Sequence, residues 1–70
     1  MKIKDIFNVL DTSEVQRICV FPKTQPVLGV RPSEGRFISL SITDRDKISQ
    51  ILDVEVEQIS IRDNIMTINV

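Results

Sequence analysis

One pattern occurs twice in this chain. Ile6-Phe7-Asn8-Val9-Leu10-Asp11 near the start is echoed by Ile48-Ser49-Gln50-Ile51-Leu52-Asp53 in the second half. Each copy is followed by a short polar or acidic link, then a strand-like segment, a turn and a second strand-like segment. Gln16-Arg17-Ile18-Cys19-Val20 parallels Gln58-Ile59-Ser60-Ile61 with one residue of slippage. Two α-β-β units in 70 residues leave room for one domain spanning 1–70. The economical packing is two short amphipathic helices on one face of a shared antiparallel sheet, an α+β fold. With the strand-like Arg36–Ile42 between the units, the expected order is α-β-β-β-α-β-β.

Each element has its own signal. Ile3, Ile6, Phe7 and Leu10 recur at helical spacing and form one apolar stripe. Asp11-Thr12-Ser13 follows with side chains that compete for backbone hydrogen bonds and favour turns. Val15 to Phe21 reads as a strand, and its unbroken apolar end, Ile18 to Phe21, reads as covered on both faces. Pro22 to Gly35 holds all three prolines and both glycines, so it reads as loop. Val27, Leu28 and Val30 within it suggest a short irregular strand at a sheet edge, where proline is tolerated. Arg36 to Ile42 alternates, with Ile38, Leu40 and Ile42 on one side and Phe37, Ser39 and Ser41 on the other. Thr43 is placed to cap a second helix, with Asp46 three residues on, and that helix should end near Asp53. Gln58–Arg62 and Ile65–Val70 read as a hairpin turned by Asp63-Asn64. The phase of alternation changes between Val54/Val56 and Ile59/Ile61, so a bulge or turn must intervene. Val54–Glu57 reads equally as strand or linker.

The side chains absent from the chain narrow its chemistry. It has no His, Trp or Tyr and one Cys. The commonest general base near neutral pH is therefore missing, as are Cys/His zinc clusters and Cys–His or Ser–His nucleophile pairs. The expectation is a protein without catalytic residues, cofactor or metal. A single Cys makes no internal disulfide, and nothing at the opening resembles a signal peptide. No apolar run approaches the roughly 20 residues of a membrane-spanning helix. The cytoplasm is the default compartment, with no membrane partner. The three aromatics, Phe7, Phe21 and Phe37, read as core filler in a domain that buries only about 60% of its unfolded surface.

Several residues invite a functional reading beside a structural one. Cys19 could be a reactive thiol, but it lies in the most apolar stretch of a strand, where free Cys behaves as a buried hydrophobe. Asp44 and Asp46 could contribute to a magnesium site, yet no phosphate loop accompanies them, and both suit the start of a helix. Glu55 and Glu57, two apart on an extended segment, read as a solvated acidic face. Val27, Leu28 and Val30 read as core, with an exposed contact surface as the alternative. Arg31, beside Pro32 and close to Gly29, is the best single choice for an exposed contact.

The net charge of −1 hides an uneven distribution. Arg17, Lys23, Arg31 and Arg36 lie between Val15 and Ile42, where Glu34 is the only acid. The end of the chain carries Asp44, Asp46, Asp53, Glu55, Glu57 and Asp63 against Arg45, Lys47 and Arg62. The basic middle could contact phosphates. Read as a sequence, it lacks both the exposed aromatics of a stacking platform and a basic recognition helix. Charge-complementary protein association, including self-association, fits the same asymmetry.

The two ends carry a resemblance. Met1-Lys2-Ile3-Lys4-Asp5-Ile6-Phe7-Asn8-Val9-Leu10 resembles the opening of many small uncharacterised proteins from prophages and conjugative elements of Firmicutes. Leu52 to Ile68, with Glu55-Val56-Glu57, the acidic turn and the last aliphatic strand, resembles their usual ending. The Pro-rich middle is outside this likeness. The resemblance implies a mobile-element origin, no catalytic residues and a role in binding a macromolecule of the host or element. The leading expectation is thus a non-enzymatic protein-interaction module. Its contact residues would be Lys23, Leu28, Arg31 and Arg36, together with an open sheet edge that also suits a homodimer. The runner-up is a nucleic-acid-binding accessory protein using Arg17, Lys23, Arg31 and Arg36.

Overall fold

The computed structural model describes residues 1–9 and 12–70. Leu10 of the first apolar stripe and Asp11 of the polar link lie outside the described residues. Helix α1 spans Ile3–Val9, strand β1 Arg17–Phe21, strand β2 Ile38–Ser41, helix α2 Arg45–Ser49, strand β3 Gln58–Arg62 and strand β4 Ile65–Asn69. Short 3-10 turns occupy Thr12–Glu14 and Pro32–Glu34. The α+β expectation of two short helices against one sheet holds.

The sheet order is β2-β1-β4-β3. β1 pairs antiparallel with β2, and β3 antiparallel with β4, but the central pair β1/β4 is parallel. The sheet is therefore mixed, not wholly antiparallel as expected. Composition explains which strands are central. β1 and β4 bury Ile18, Val20, Met66 and Ile68 completely, whereas β3 alternates Ile with polar residues and β2 is only four residues long. Short or polar strands are tolerated at edges. Backbone bonds extend the parallel ladder at each end. The Gln16 N–H donates to Asn64 O at 2.8 Å, and the Lys23 and Thr24 N–H groups donate to Val70 O at 2.6 and 2.9 Å.

The expected strand at Val27–Val30 is a two-residue turn instead. Leu28 (φ 48°) and Gly29 (φ 81°) are both left-handed, and Val27 and Val30 exchange backbone hydrogen bonds of 3.0 and 2.9 Å. Left-handed residues cannot continue a strand, so the described residues form four strands rather than five. The segment splits between the two readings offered for it: Val27 is buried, Val30 half-buried and Leu28 exposed. The second helix is also capped differently. Asp44, not Thr43, is its N-cap, accepting from the Lys47 N–H at 3.3 Å. Its regular part ends at Ser49, and turns carry the chain to Asp53.

One apolar layer lies between the sheet and the helices. Ile3 and Ile6 of α1, Ile51 just after α2, and Val15 and Val27 meet Ile18, Val20, Leu40, Met66, Ile68 and Val70. Burying an Ile or Met of this kind contributes roughly 1.5–3 kcal/mol. The Val54–Glu57 segment acts as a brace. Ile3 and Lys4 donate their backbone N–H groups to Val54 O and Leu52 O at 3.0 and 2.9 Å, so the unpaired start of α1 is satisfied. The Val56 N–H donates to Met1 O, and Lys2 bridges Glu55. Glu57 and Gln58 both oppose Asn69, which places the phase-changing bulge at the start of β3. Among the described residues, no helix is long and apolar enough to cross a membrane.

Candidate functional site

Side chains alternate across a strand, so the residues between those of the core form the other face of the sheet. Strand register arranges them in three rows. One row runs Ser41, Arg17, Ile65, Arg62; the next runs Ser39, Cys19, Thr67, Ser60. The third runs Phe21, Asn69, Gln58, with Phe37 beside Phe21 just ahead of β2. The helices cover the opposite face. This corrects the reading of Ile18–Phe21 as covered on both sides: Cys19 and Phe21 are only half-buried. Cys19 is not a core residue but a small, half-buried side chain in the middle row.

The aromatic expectation is corrected too. Only Phe7 packs against the core. Phe21 and Phe37 stack on each other on the open face, ring centroids 5.0 Å apart and planes 24° from parallel. Phe37 is 53% exposed, although a large apolar ring gains from burial. The Lys23 ammonium lies 5.8 Å from the centre of the Phe21 ring, within cation–π range. At the other end, Arg17 donates from Nε and Nη2 to Ser39 Oγ at 3.2 and 2.9 Å. Those two bonds tie its guanidinium to the neighbouring strand, and it has no ion pair among the described residues. Ile65, 37% exposed, lies between Arg17 and Arg62. Arg62 pairs with Asp63 in the adjoining turn, at 3.8 Å with both side chains exposed.

No strand carries an acidic residue. Among the described residues the acids lie in helices, turns and the Val54–Glu57 brace, so the open face is cationic on a chain of net charge −1. The surface is about 14 Å wide, given roughly 4.8 Å per strand step. It offers an aromatic pair with a cation at one end, two guanidinium groups around an aliphatic at the other, and hydroxyls between.

The four expected contact residues do not form one cluster. Lys23 belongs to the open face through Phe21. Arg36 precedes Phe37 and pairs with Glu34 at 2.9 Å. The Arg31 backbone N–H donates to the same Glu34 carboxylate, at 2.6 Å to Oε2. These contacts hold the Glu34 carboxyl below its ordinary range; the Arg31 N–H is the largest cause, desolvation opposes it, and the charge and hydrogen bond of Arg36 add to the lowering. Leu28 is 39% exposed at its left-handed corner, apart from the sheet. Asp44 is taken up by capping, and Glu55 meets the terminal ammonium of Met1 at 3.2 Å. No group of three metal-capable side chains and no enclosed cleft forms among the described residues.

Sequence reasoning missed Phe21, Phe37, Ile65 and Arg62 as members of one surface. The signal was present in the odd-numbered positions of β1, Arg17-Cys19-Phe21, which share a face. Comparison with known proteins gave no matching family model, no matching curated relative and no matching solved structure.

Proposed function

We propose that this chain is a non-enzymatic binding module and that the helix-free face of its sheet holds single-stranded nucleic acid. The carrying observation is the stack of exposed Phe37 on half-buried Phe21, on a face that also bears Arg17, Arg62 and Lys23 and no acidic strand residue. Bases present a π-face to an aromatic ring whatever their identity, and cations along the platform meet the phosphates. Sheet faces with exposed aromatics stack about two or three bases in other RNA-binding modules. The Ser39, Ser41, Ser60 and Thr67 hydroxyls can donate to or accept from sugars and base edges. A surface of this kind docks a strand and does not enclose a small substrate. We place the module in the cytoplasm of a cell carrying a mobile element.

The test is fluorescence anisotropy with labelled single-stranded DNA and RNA oligonucleotides at low and moderate salt. With three phosphates engaged, affinity should fall about 20-fold for a fourfold rise in salt. Phe37→Ala should weaken binding about tenfold, and Arg17→Ala should reduce the salt dependence. Absence of binding at low salt, or binding indifferent to Phe37→Ala, overturns the reading.

A protein partner is the second reading, and one observation favours it. Leu28, three residues before Arg31, is an exposed leucine in a left-handed conformation, a strained position of the kind that concentrates at binding sites. A partner recovered by pull-down after nuclease treatment, and lost on Arg31→Glu, would support this reading over the first.

A further inference from the structure

The outer edge of β3 has no partner among the described residues, and Ile61 on it is 49% exposed. Ile61 lies on the helix side of the sheet, in register with the fully buried Met66. A core-facing isoleucine is therefore left half in water at an open edge. We infer that β3 pairs antiparallel with β3 of a second copy, closing both edges into one eight-stranded sheet.

The strand sequence is self-complementary in one register. The two-residue Asp63-Asn64 turn makes Arg62 and Ile65 a hydrogen-bonded pair, so Ile59 and Ile61 belong to non-hydrogen-bonded pairs with β4. Their N–H and C=O groups consequently point outward to the free edge. Centring a two-fold axis on Ser60 sets Ile59 of each copy against Ile61 of the other, and these four residues exchange the inter-copy backbone bonds. Gln58 then meets Arg62, and Arg62 lies diagonal to Glu57 of the second copy. The one like-charge pair, Glu57 opposite Asp63, sits outside the strand in solvent, where it is screened. Sliding by two residues to centre on Ile61 would set Ile59 against Asp63, losing an apolar pair and burying a charge's neighbour. Cross-strand apolar pairs of this type contribute roughly 0.2–1 kcal/mol each, beyond the area they remove from water.

An axis normal to the sheet keeps the helices of both copies on one side and the open faces on the other. The row Phe37, Phe21, Asn69, Gln58 then runs straight on into Arg62, Ile65, Arg17 and Ser41 of the second copy. Aromatic and cationic ends alternate along one continuous surface. The pairing itself does not depend on the nucleic-acid reading.

Sedimentation equilibrium of the full chain, without nucleic acid, tests it. The wild type should show twice the chain mass, and Ile61→Lys, which puts a charge at the edge, should show the chain mass while keeping its far-UV circular dichroism. In a Cys19→Ser background, Ser60→Cys should oxidise to a disulfide-linked dimer. Its two sulfurs would join Cα atoms about 4.5 Å apart, the spacing of a non-hydrogen-bonded pair. Ile61→Cys should not, because the two Ile61 positions are diagonal. A monomeric wild type at its highest soluble concentration overturns the inference, and so does cross-linking at Ile61 but not at Ser60. A dimer that binds no oligonucleotide would sink the nucleic-acid reading and leave this one standing.

Discussion

Two residues of the Pro22–Gly35 loop show what single side chains contribute here. Glu34 accepts from the Arg31 backbone and pairs with Arg36, and its carboxyl titrates below the ordinary range. A carboxyl whose pKa is depressed by folding contributes stability above its unfolded pKa and loses it as pH falls through the folded value. Acidification should therefore release the Arg31 amide, seen as a proton chemical-shift change that follows the Glu34 titration and disappears in Glu34→Gln. An Arg31 amide that ignores the carboxyl would show the hydrogen bond to be absent in solution. Leu28 is the converse case. A left-handed leucine costs about 1–2 kcal/mol, and Leu28, 39% exposed, recovers that cost only in part through burial. Leu28→Asn should raise the melting temperature by a few degrees in thermal denaturation, since Asn tolerates this conformation.

At the scale of elements, the β3–β4 hairpin was the most legible part of the chain. Ile-rich runs flanking Asp63-Asn64 specified both strands and the turn, and the two residues adopt φ of 53° and 66°. Asn64→Val should cost about 1–2 kcal/mol in urea unfolding, because a β-branched residue resists the left-handed region. An unchanged midpoint would mean that the turn has another geometry. The second helix was legible in position but not in extent. Asp44 rather than Thr43 caps it because the Thr43 hydroxyl is engaged with Ser41 Oγ at 2.9 Å. The Val27–Val30 strand was misread because apolar content alone does not reveal that Leu28 and Gly29 turn the chain back.

At the scale of the molecule, stability rests on one apolar layer. A chain of this length has only roughly 4–10 kcal/mol in total. Ile68→Ala, at a fully buried position on a central strand, should cost about 2–5 kcal/mol and lower the melting temperature by about ten degrees or more, measurable by calorimetry. A mild effect would mean that the layer repacks around the gap. The charge distribution also belongs to this scale: the basic segment noticed in the sequence contributes Arg17 and Lys23 to the open face, while Arg62 arrives from the acidic end.

Local patterning was enough to establish the α+β class, the positions of α1, β1, β2 and the final hairpin, and which residues of β2 face inward. Those properties depend on neighbours in the chain, so periodicity and turn chemistry carry them. The tertiary structure alone decided that β1 lies parallel to β4. The two α-β-β units look alike in sequence, yet the first strand of one unit is central while the first strand of the other is an edge. Strand order is a competition between whole surfaces for burial, and Ile18, Val20, Met66 and Ile68 prevail only when β1 and β4 meet. The same choice brought Arg17, Ile65 and Arg62 into one row and left half-buried Phe21 and exposed Phe37 on a shared face; alternation within β1 reveals which of its own residues share that face, but not which distant strands join them.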